Sequence, residues 1–174
     1  FQKLAGEYYC RAYHDQYDVE YSIFRPFNAV GPREPPGEEV GQAHVIPDFV
    51  LKILDKEQYP LKILGDGRQV RSFTNVRDIA RGVYLCSFED AAANDHFNLG
   101  SEEGVSMRDL ARKIWERSGR EEDIEFETTE AFAHDVQKRV PSSQKAQEVL
   151  GWEPEITLDE SLEQYIGWYE EEVL

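Results

Sequence analysis

The 174-residue sequence has few of the features that mark membrane or secreted proteins. It contains no apolar run of the roughly 18 to 20 residues that a transmembrane helix needs, and no basic stretch followed by an apolar one that resembles a signal peptide. Cysteine is scarce, because only Cys10 and Cys86 occur, both in largely apolar helical stretches. We therefore expect two buried free thiols and no disulfide, as in a cytoplasmic protein without a membrane partner.

Familiar metal-binding and nucleophile motifs are also missing. The four histidines lie far apart in the chain, and neither H-x-x-x-H nor C-x-x-C spacing occurs. The patterns of a structural zinc site and of a zinc protease are therefore absent, and we expect no metal. No G-x-S-x-G turn is present either. Paired carboxylates are too frequent in this chain to indicate a glycosidase.

The sequence contains few basic residues. Seven lysines and twelve arginines stand against 35 acidic residues, which gives a formal charge of −16 and a pI near 4.6. Sequence-independent binding to nucleic acid depends on Lys and Arg, so we expect no nucleic-acid partner. The excess of carboxylates fits a salt-adapted cytoplasm, and it fits equally an ordinary acidic protein with solvated acidic faces.

Apolar periodicity predicts an alternation of helices and strands. The spacing of apolar residues predicts helices over 2–16, 45–54, 75–88, 107–118, 142–151 and 157–169. Ser106 and Thr157 are the expected N-caps of the fourth and last helices. Extended runs at 19–27, 96–100 and 123–127 predict strands, and residues 61–73 suggest a small hairpin around Gly65-Asp66-Gly67. The alternation predicts an α/β fold with parallel pairing.

Arginine beside the glycine turn is the first chemical signal. In "GDGRQVR", Arg71 follows Gly65 by six residues, and its planar guanidinium suits bidentate contact with a phosphate. The same sequence is equally compatible with Arg71 as an ordinary surface arginine on a hairpin. In so acidic a chain, a cationic cluster facing a cleft is an exception to the overall field.

Five collinear segments together carry a resemblance. They are "SIFRPFNAVGPRE", "VIPDFV", "LKILGDGRQVRSFTNVRDIARGV", "FNLGSEEGVSMRDLA" and "KAQEVLGWEP...TLDESLEQYIGWY". In this order and spacing they resemble the C-terminal half of extended short-chain dehydrogenases/reductases, the NAD-dependent nucleotide-sugar epimerases and dehydratases. The resemblance implies the end of a Rossmann-type parallel sheet together with a small α/β substrate-binding domain. It assigns residues 1–32 and 74–100 to the NAD-binding domain, and 33–73 and 101–174 to the substrate-binding domain.

The opening segment fits this resemblance. "FQKLAGEYYC" begins as a helix without a capping residue, and Lys3 matches the lysine of the family's Y-x-x-x-K motif. The tyrosine of the motif then falls two positions before Phe1, so we expect the chain to be a C-terminal fragment. In the family this lysine binds the nicotinamide ribose and favours the tyrosinate that acts as general base. Without the resemblance, Lys3 is simply an exposed helix residue.

The resemblance also implies cofactor and sugar contacts at the end of the first strand. Phe27 and Val30 match positions that line the nicotinamide, and Asn28 matches one that donates to the sugar nucleotide. Open α/β sheets bind ligands beyond the carboxyl ends of their strands. Taken alone, Asn28 is also compatible with a plain turn.

Further positions match the nucleotide contacts of the family. Arg71 matches the arginine that clamps the diphosphate, and Arg139 a second one from the far side of the pocket. Ser142 stands where relatives often have Asp, so the bonds that support Arg139 differ here. Lys62 and Ile63 match positions that contact the base. His44, Val45 and Ile46 match positions that approach the nucleoside.

For the intact enzyme the resemblance implies NAD, with NADP left open, and a nucleotide-diphosphate sugar as substrate. In the family, the sugar is first oxidised to a ketone intermediate. This intermediate is then epimerised, dehydrated or decarboxylated, and it is finally reduced again. The fragment alone is expected to be inactive, since the tyrosine and the Gly-rich loop are absent. A homodimer is expected through the first helix, with Tyr8, Tyr9 and Tyr13 exposed.

Two other functions stay open at this point. One is a relative that senses NAD(P) or binds a protein partner without catalysis. The residues preceding Phe1 distinguish it from an enzyme, since absence of the tyrosine or of the Gly-rich turn there favours the non-catalytic relative. The other is a separate carbohydrate-binding module, against which the uncapped first helix argues.

Overall fold

A computed structural model describes residues 1–37, 44–130 and 136–174. Within these ranges the α-helices are α1 (Gln2–Tyr17), α2 (Val45–Val50), α3 (Val76–Phe88), α4 (Met107–Arg117), α5 (Gln144–Leu150) and α6 (Leu158–Glu172). The strands are β1 (Ser22–Pro26), β2 (Ala29–Val30), β3 (Leu61–Leu64), β4 (Val70–Arg71), β5 (Thr74–Asn75), β6 (Asp95–Leu99), β7 (Val105–Ser106), β8 (Phe126–Thr129) and β9 (Lys138–Arg139). A π-helix, Leu51–Asp55, continues α2, and a 3-10 helix spans Asp90–Ala92. None of the helices in the described ranges has the length and apolar character of a bilayer span.

Most of the strand pairs are parallel. Strand β1 pairs with β6, β2 with β5 and β3 with β8, all in parallel. Strand β4 lies between β7 and β9, antiparallel to the first and parallel to the second. The predicted α/β class with parallel pairing is therefore confirmed, with the β4–β7 pair as an antiparallel addition.

The hairpin predicted at 61–73 is wrong. Its two halves, β3 and β4, belong to different sheets. The glycine turn does form, because Gly65 and Gly67 both have positive φ. However, Leu61 and Ile63 are buried, and they face the main core beside β8, so β3 pairs there while the chain beyond the turn joins β7 and β9.

Helix α1 follows the predicted bounds closely but contains no buried residue. The expectation that Cys10 is buried is therefore wrong: Cys10 is half-buried, whereas Cys86 on α3 is buried, and both thiols are free. Tyr8, Tyr9 and Tyr13 are exposed as predicted. The half-buried face of α1 includes Glu7, Cys10 and His14, and the three tyrosines lie outside it.

Two helix starts form as the sequence predicts. The Ser106 side chain accepts a hydrogen bond from the Asp109 amide at the start of α4. Thr157 and Glu160 form a full capping box at the start of α6. Each cap satisfies backbone N–H groups that a helix start otherwise leaves unpaired.

The core consists of two apolar clusters. The larger one joins α2, β3, α4 and α6, and the smaller one joins α3, β6 and α5 around Trp152. The predicted domain division assigns α5 to the substrate-binding domain, yet α5 packs on α3 and β6. Part of the predicted loop 33–43 lies outside the described residues.

Asp78 joins the smaller cluster to the segment before α6. Its buried carboxylate accepts from the amides of Glu155 and Ile156, each at 3.0 Å, and its carbonyl accepts from the Trp152 indole at 2.9 Å. Arg81 lies 3.4 Å from the same carboxylate. This one side chain therefore fixes the approach of the chain to α6.

We expect Asp78→Ala to lower the free energy of unfolding by about 2 kcal/mol, because two amides lose their acceptor. Urea denaturation measures this difference. Glu170→Ala, at an exposed position on α6, is the control and is expected to change stability by about 0.5 kcal/mol or less. Equal effects of the two substitutions would contradict the role of Asp78.

Candidate functional site

One cleft of about 1080 Å³ brings together all the site residues predicted from the sequence. It lies where the ends of β1 and β2 meet α2, β3, β4 and β9. The predicted residues that line it are Lys3, Phe27, Asn28, Val30, His44, Val45, Ile46, Lys62, Ile63, Arg71 and Arg139. Residues that are far apart in sequence thus form one surface.

Charge distinguishes this cleft from the rest of the chain. Five Lys or Arg residues and two carboxylates line it, although acids outnumber bases in the sequence by 35 to 19. A second cavity, of about 620 Å³ beside α5, is lined by five glutamates and by no Lys or Arg. The larger cleft therefore favours an anionic ligand.

Arg71 and Arg139 lie side by side. They are register partners in the parallel pair of β4 and β9, and both line the cleft. The Arg71 guanidinium donates to its neighbouring Val70 carbonyl at 2.9 Å. The expectation that Arg139 approaches from the far side of the pocket is therefore wrong, because β9 pairs directly with β4. Neighbouring arginines that line one cleft can both donate to one phosphate-bearing group.

The end of β1 is held by hydrogen bonds to neighbouring segments. The Phe27 amide donates to the Leu99 carbonyl at 3.0 Å. The Asn28 side chain donates to the carbonyl of buried Ser72 at 2.7 Å, and its backbone has φ 39°, which Asn tolerates better than most residues. The Asn28 amide is thereby fixed in orientation at the cleft wall.

Apolar residues form the floor of the cleft. Val30, Ile46 and Ile63 are each 2% exposed and belong to the larger apolar cluster. Phe27 and Val45 are half-buried beside them. The floor therefore offers flat apolar contact, and polar contact comes from the rim.

The rim includes exposed polar side chains. His44, the N-cap residue of α2, is exposed and its ring contacts the Glu34 carboxylate. The Glu34 carbonyl accepts from the Tyr165 hydroxyl at 2.8 Å, and burial raises the pKa of that phenol. The Lys62 side chain is half exposed, with its ammonium 4.0 Å from Glu127.

Lys3 lines the cleft from α1, and among the described residues an ion pair connects this helix to β1. Arg25 donates twice to the Glu7 carboxylate, at 2.6 Å for each bond. This contact lowers the pKa of Glu7 and raises that of Arg25. Since α1 buries no residue, this pair is one of the contacts that restrain the helix carrying Lys3.

Three further charged residues line the cleft and were not predicted from the sequence. They are Glu34, Asp48 and Lys52. The i, i+4 spacing of Asp48 and Lys52 is a signal for an ion pair, although on a helix that spacing usually marks a solvated surface. Within the described ranges, no group of three or more His, Cys, Asp or Glu residues is placed to hold a metal ion.

The fold and the cleft define an α/β protein with a cationic site at strand ends, as in nucleotide-binding proteins. The family model described as NAD dependent epimerase/dehydratase family matches residues 1–100. This match covers more than half of the chain, and the chain belongs to this family.

Relatives among curated proteins are similar over nearly the whole chain. UDP-glucuronic acid decarboxylase 1 from Xenopus tropicalis is 34% identical over 171 residues, which are 98% of this chain and 38% of the relative. A putative UDP-glucose 4-epimerase from Methanocaldococcus jannaschii is 34% identical over 167 residues, 95% of this chain and 51% of the relative. The chain thus spans about half or less of the length of these relatives.

Solved structures confirm the Rossmann-type α/β fold. UDP-glucose 4-epimerase from Thermotoga maritima, with UDP-glucose, has a TM-score of 0.87 and 29% identity, covering 99% of this chain and 53% of the other. UDP-glucuronic acid 4-epimerase from Bacillus cereus, with UDP-glucuronic acid and NAD, has a TM-score of 0.82 and 25% identity, covering 97% and 51%.

We expect the Glu7–Arg25 pair to contribute about 1 kcal/mol or less, because both side chains are partly exposed. The depressed pKa of Glu7 means that this contribution is present above its ordinary value of 4.5 and is lost as the pH falls through the lower folded value. Glu7→Gln should therefore destabilise the chain at pH 7 and have progressively less effect below pH 4.5.

Thermal unfolding of the wild type and of Glu7→Gln across this pH range measures the effect. Glu20→Gln is the control, since Glu20 is exposed and its loss is expected to be neutral at every pH. A constant difference between Glu7→Gln and the wild type from pH 7 to pH 3 would show that the carboxylate charge is irrelevant.

Proposed function

We propose that this chain forms the substrate-binding part of an NAD-dependent nucleotide-sugar epimerase or dehydratase. The observation that carries the proposal is the in-register pair Arg71 and Arg139 in a cationic cleft of an otherwise acidic chain. A diphosphate matches this arrangement, since each guanidinium donates in a planar fork. Titration of the chain with UDP tests the proposal.

The other cleft residues are assigned to the remaining parts of the proposed ligand. In this proposal Lys62 and Ile63 contact the base, and His44, Val45 and Ile46 border the nucleoside. Asn28 donates to the sugar nucleotide from its fixed position. We propose a UDP-sugar, because the Thermotoga and Bacillus structures hold UDP-glucose and UDP-glucuronic acid.

The end of the cleft near Lys3 fits part of a nicotinamide cofactor. Phe27 and Val30 offer apolar surface for a flat ring, and the Lys3 ammonium offers donors for ribose hydroxyls. When bound, NAD supplies reversible oxidation of the sugar. We propose NAD because the Bacillus structure contains it, and NADP is the alternative.

In this proposal Lys3 is the catalytic residue that the chain supplies. Its ammonium holds the ribose and stabilises the anionic form of a tyrosine four positions earlier in the motif. Neither that tyrosine nor a G-x-G-x-x-G turn occurs in the 174 residues. We therefore propose that the chain alone binds nucleotide weakly and does not turn over. We also propose the domain division at 1–32 with 74–100 and 33–73 with 101–174, with α5 of the second part packed against α3 and β6 of the first.

Calorimetric titration of the 174-residue chain with UDP is expected to show weak binding that Arg71→Met reduces at least tenfold. The reason is the loss of charge-assisted hydrogen bonds worth about 1.5–3 kcal/mol. Arg112→Met is the matched control, because Arg112 pairs with Asp109 away from the cleft. Equal affinities of the two variants would contradict the proposed diphosphate site, and epimerisation of UDP-glucose by the chain with NAD would contradict the proposed inactivity.

We further propose that two copies associate through α1. This 16-residue helix buries no side chain, and Tyr9 and Tyr13 are 67% and 56% exposed on it. Exposed apolar patches of this kind commonly mark interfaces.

Sedimentation equilibrium is expected to show a dimer that Tyr9→Glu/Tyr13→Glu converts to a monomer. The matched control is Tyr84→Glu/Phe88→Glu, which places the same changes at the same spacing on α3, where both rings are also exposed. A wild type that remains monomeric at high concentration, or a control that dissociates equally, would rule out α1 as the interface.

A further inference from the structure

A buried ion pair lines the cleft next to the residues proposed to contact the base. The Lys52 ammonium lies 2.6 Å from the Asp48 carboxylate, and the two side chains are 9% and 10% exposed. Asp48 is on α2 and Lys52 is on the π-helix that follows it. The pair therefore spans the junction between the two helix types.

Lys52 also contacts strand β3. Its ammonium donates to the Lys62 carbonyl at 3.2 Å, and the Lys62 amide donates to the Gln58 side chain at 3.0 Å. The amides of Leu61 and Gly65 donate to the segment containing β8, so the backbone groups of Lys62 face the opposite edge of β3. Side chains from the segment just before β3 thus hold this open edge.

Stability alone is a poor explanation for this arrangement. Removing an ammonium and a carboxylate from water costs several kcal/mol each, and apolar residues often replace a buried pair without loss of stability. The π-helix also favours a functional explanation, because π-helical segments occur frequently at functional sites. The pair is better explained by the geometry it imposes on the cleft wall.

We propose that Lys52 is a positioning residue for the nucleoside end of the ligand. By holding the Lys62 carbonyl, it fixes the edge of β3 where Lys62 and Ile63 face the cleft. This inference rests on the proposed function and adds a residue to the same site. Arg71 and Arg139 belong to a different sheet from β3, so we expect the diphosphate site to depend less on Lys52 than the nucleoside site does.

Two probes separate the ends of the ligand. Calorimetry with UDP reports on both the nucleoside and diphosphate positions, whereas inorganic pyrophosphate lacks the nucleoside and reports on diphosphate binding only. The test variant is Lys52→Met/Asp48→Asn, which removes the contact to Lys62 without leaving a buried charge unpaired or changing the net charge. We expect UDP affinity to fall about tenfold and pyrophosphate affinity to change by less than about twofold.

Two further variants serve as controls. Lys56→Met removes a charge from an exposed lysine that pairs with Asp55 outside the cleft, and it should leave both affinities unchanged. Gln58→Ala removes the other restraint on Lys62 and leaves the ion pair intact. It should weaken UDP binding selectively, and it provides the decisive comparison if the double variant does not fold.

The possible outcomes are distinct. Selective loss of UDP affinity in the double variant supports the positioning role of Lys52, and the same loss in Gln58→Ala supports its premise, that the placement of Lys62 governs UDP binding. Unchanged affinities, or equal losses for UDP and pyrophosphate, overturn it while leaving the proposed function in place. A wild type that binds neither probe overturns both proposals.

Discussion

The pairing of β4 with β9 is the constraint on which the candidate site depends. It sets Arg71 directly beside Arg139 in the register of two parallel strands. Backbone bonds hold this segment in place, including the Val70 amide, which donates to the Gln137 carbonyl at 2.7 Å. The pairing brings two cationic side chains to the same wall of the cleft, where one anion can accept from both.

The remaining parts of the cleft come from elements that are fixed independently. The end of β1 is held by the Leu99 and Ser72 carbonyls, and the edge of β3 by side chains that precede it. Helix α1 depends on a pair of hydrogen bonds between Glu7 and Arg25. Different elements thus hold the diphosphate, nucleoside and cofactor ends of the proposed ligand, so each end can be altered with limited effect on the others.

Much of the fold was predictable because its signals are local. Apolar spacing and capping residues such as Thr157 specify helices within a few residues of sequence. The hairpin failed because strand partners depend on burial across the whole chain, and Ile63 selects β8 over the nearby β4. The site residues were predicted through the resemblance to a family. The position of Arg139 beside Arg71 was not predicted, because a strand of two residues such as β9 has no periodic sequence pattern.

The contrast between a cationic cleft and an acidic exterior has a kinetic consequence. At a distance, an anionic ligand meets the field of a chain with formal charge −16, and only near the cleft does attraction dominate. Dissolved ions weaken the distant repulsion over a Debye length of about 8 Å at 0.15 M ionic strength, while contacts within the cleft are screened far less. Encounter with a phosphate-bearing ligand should therefore become faster as electrolyte is added, the reverse of the usual behaviour of oppositely charged partners.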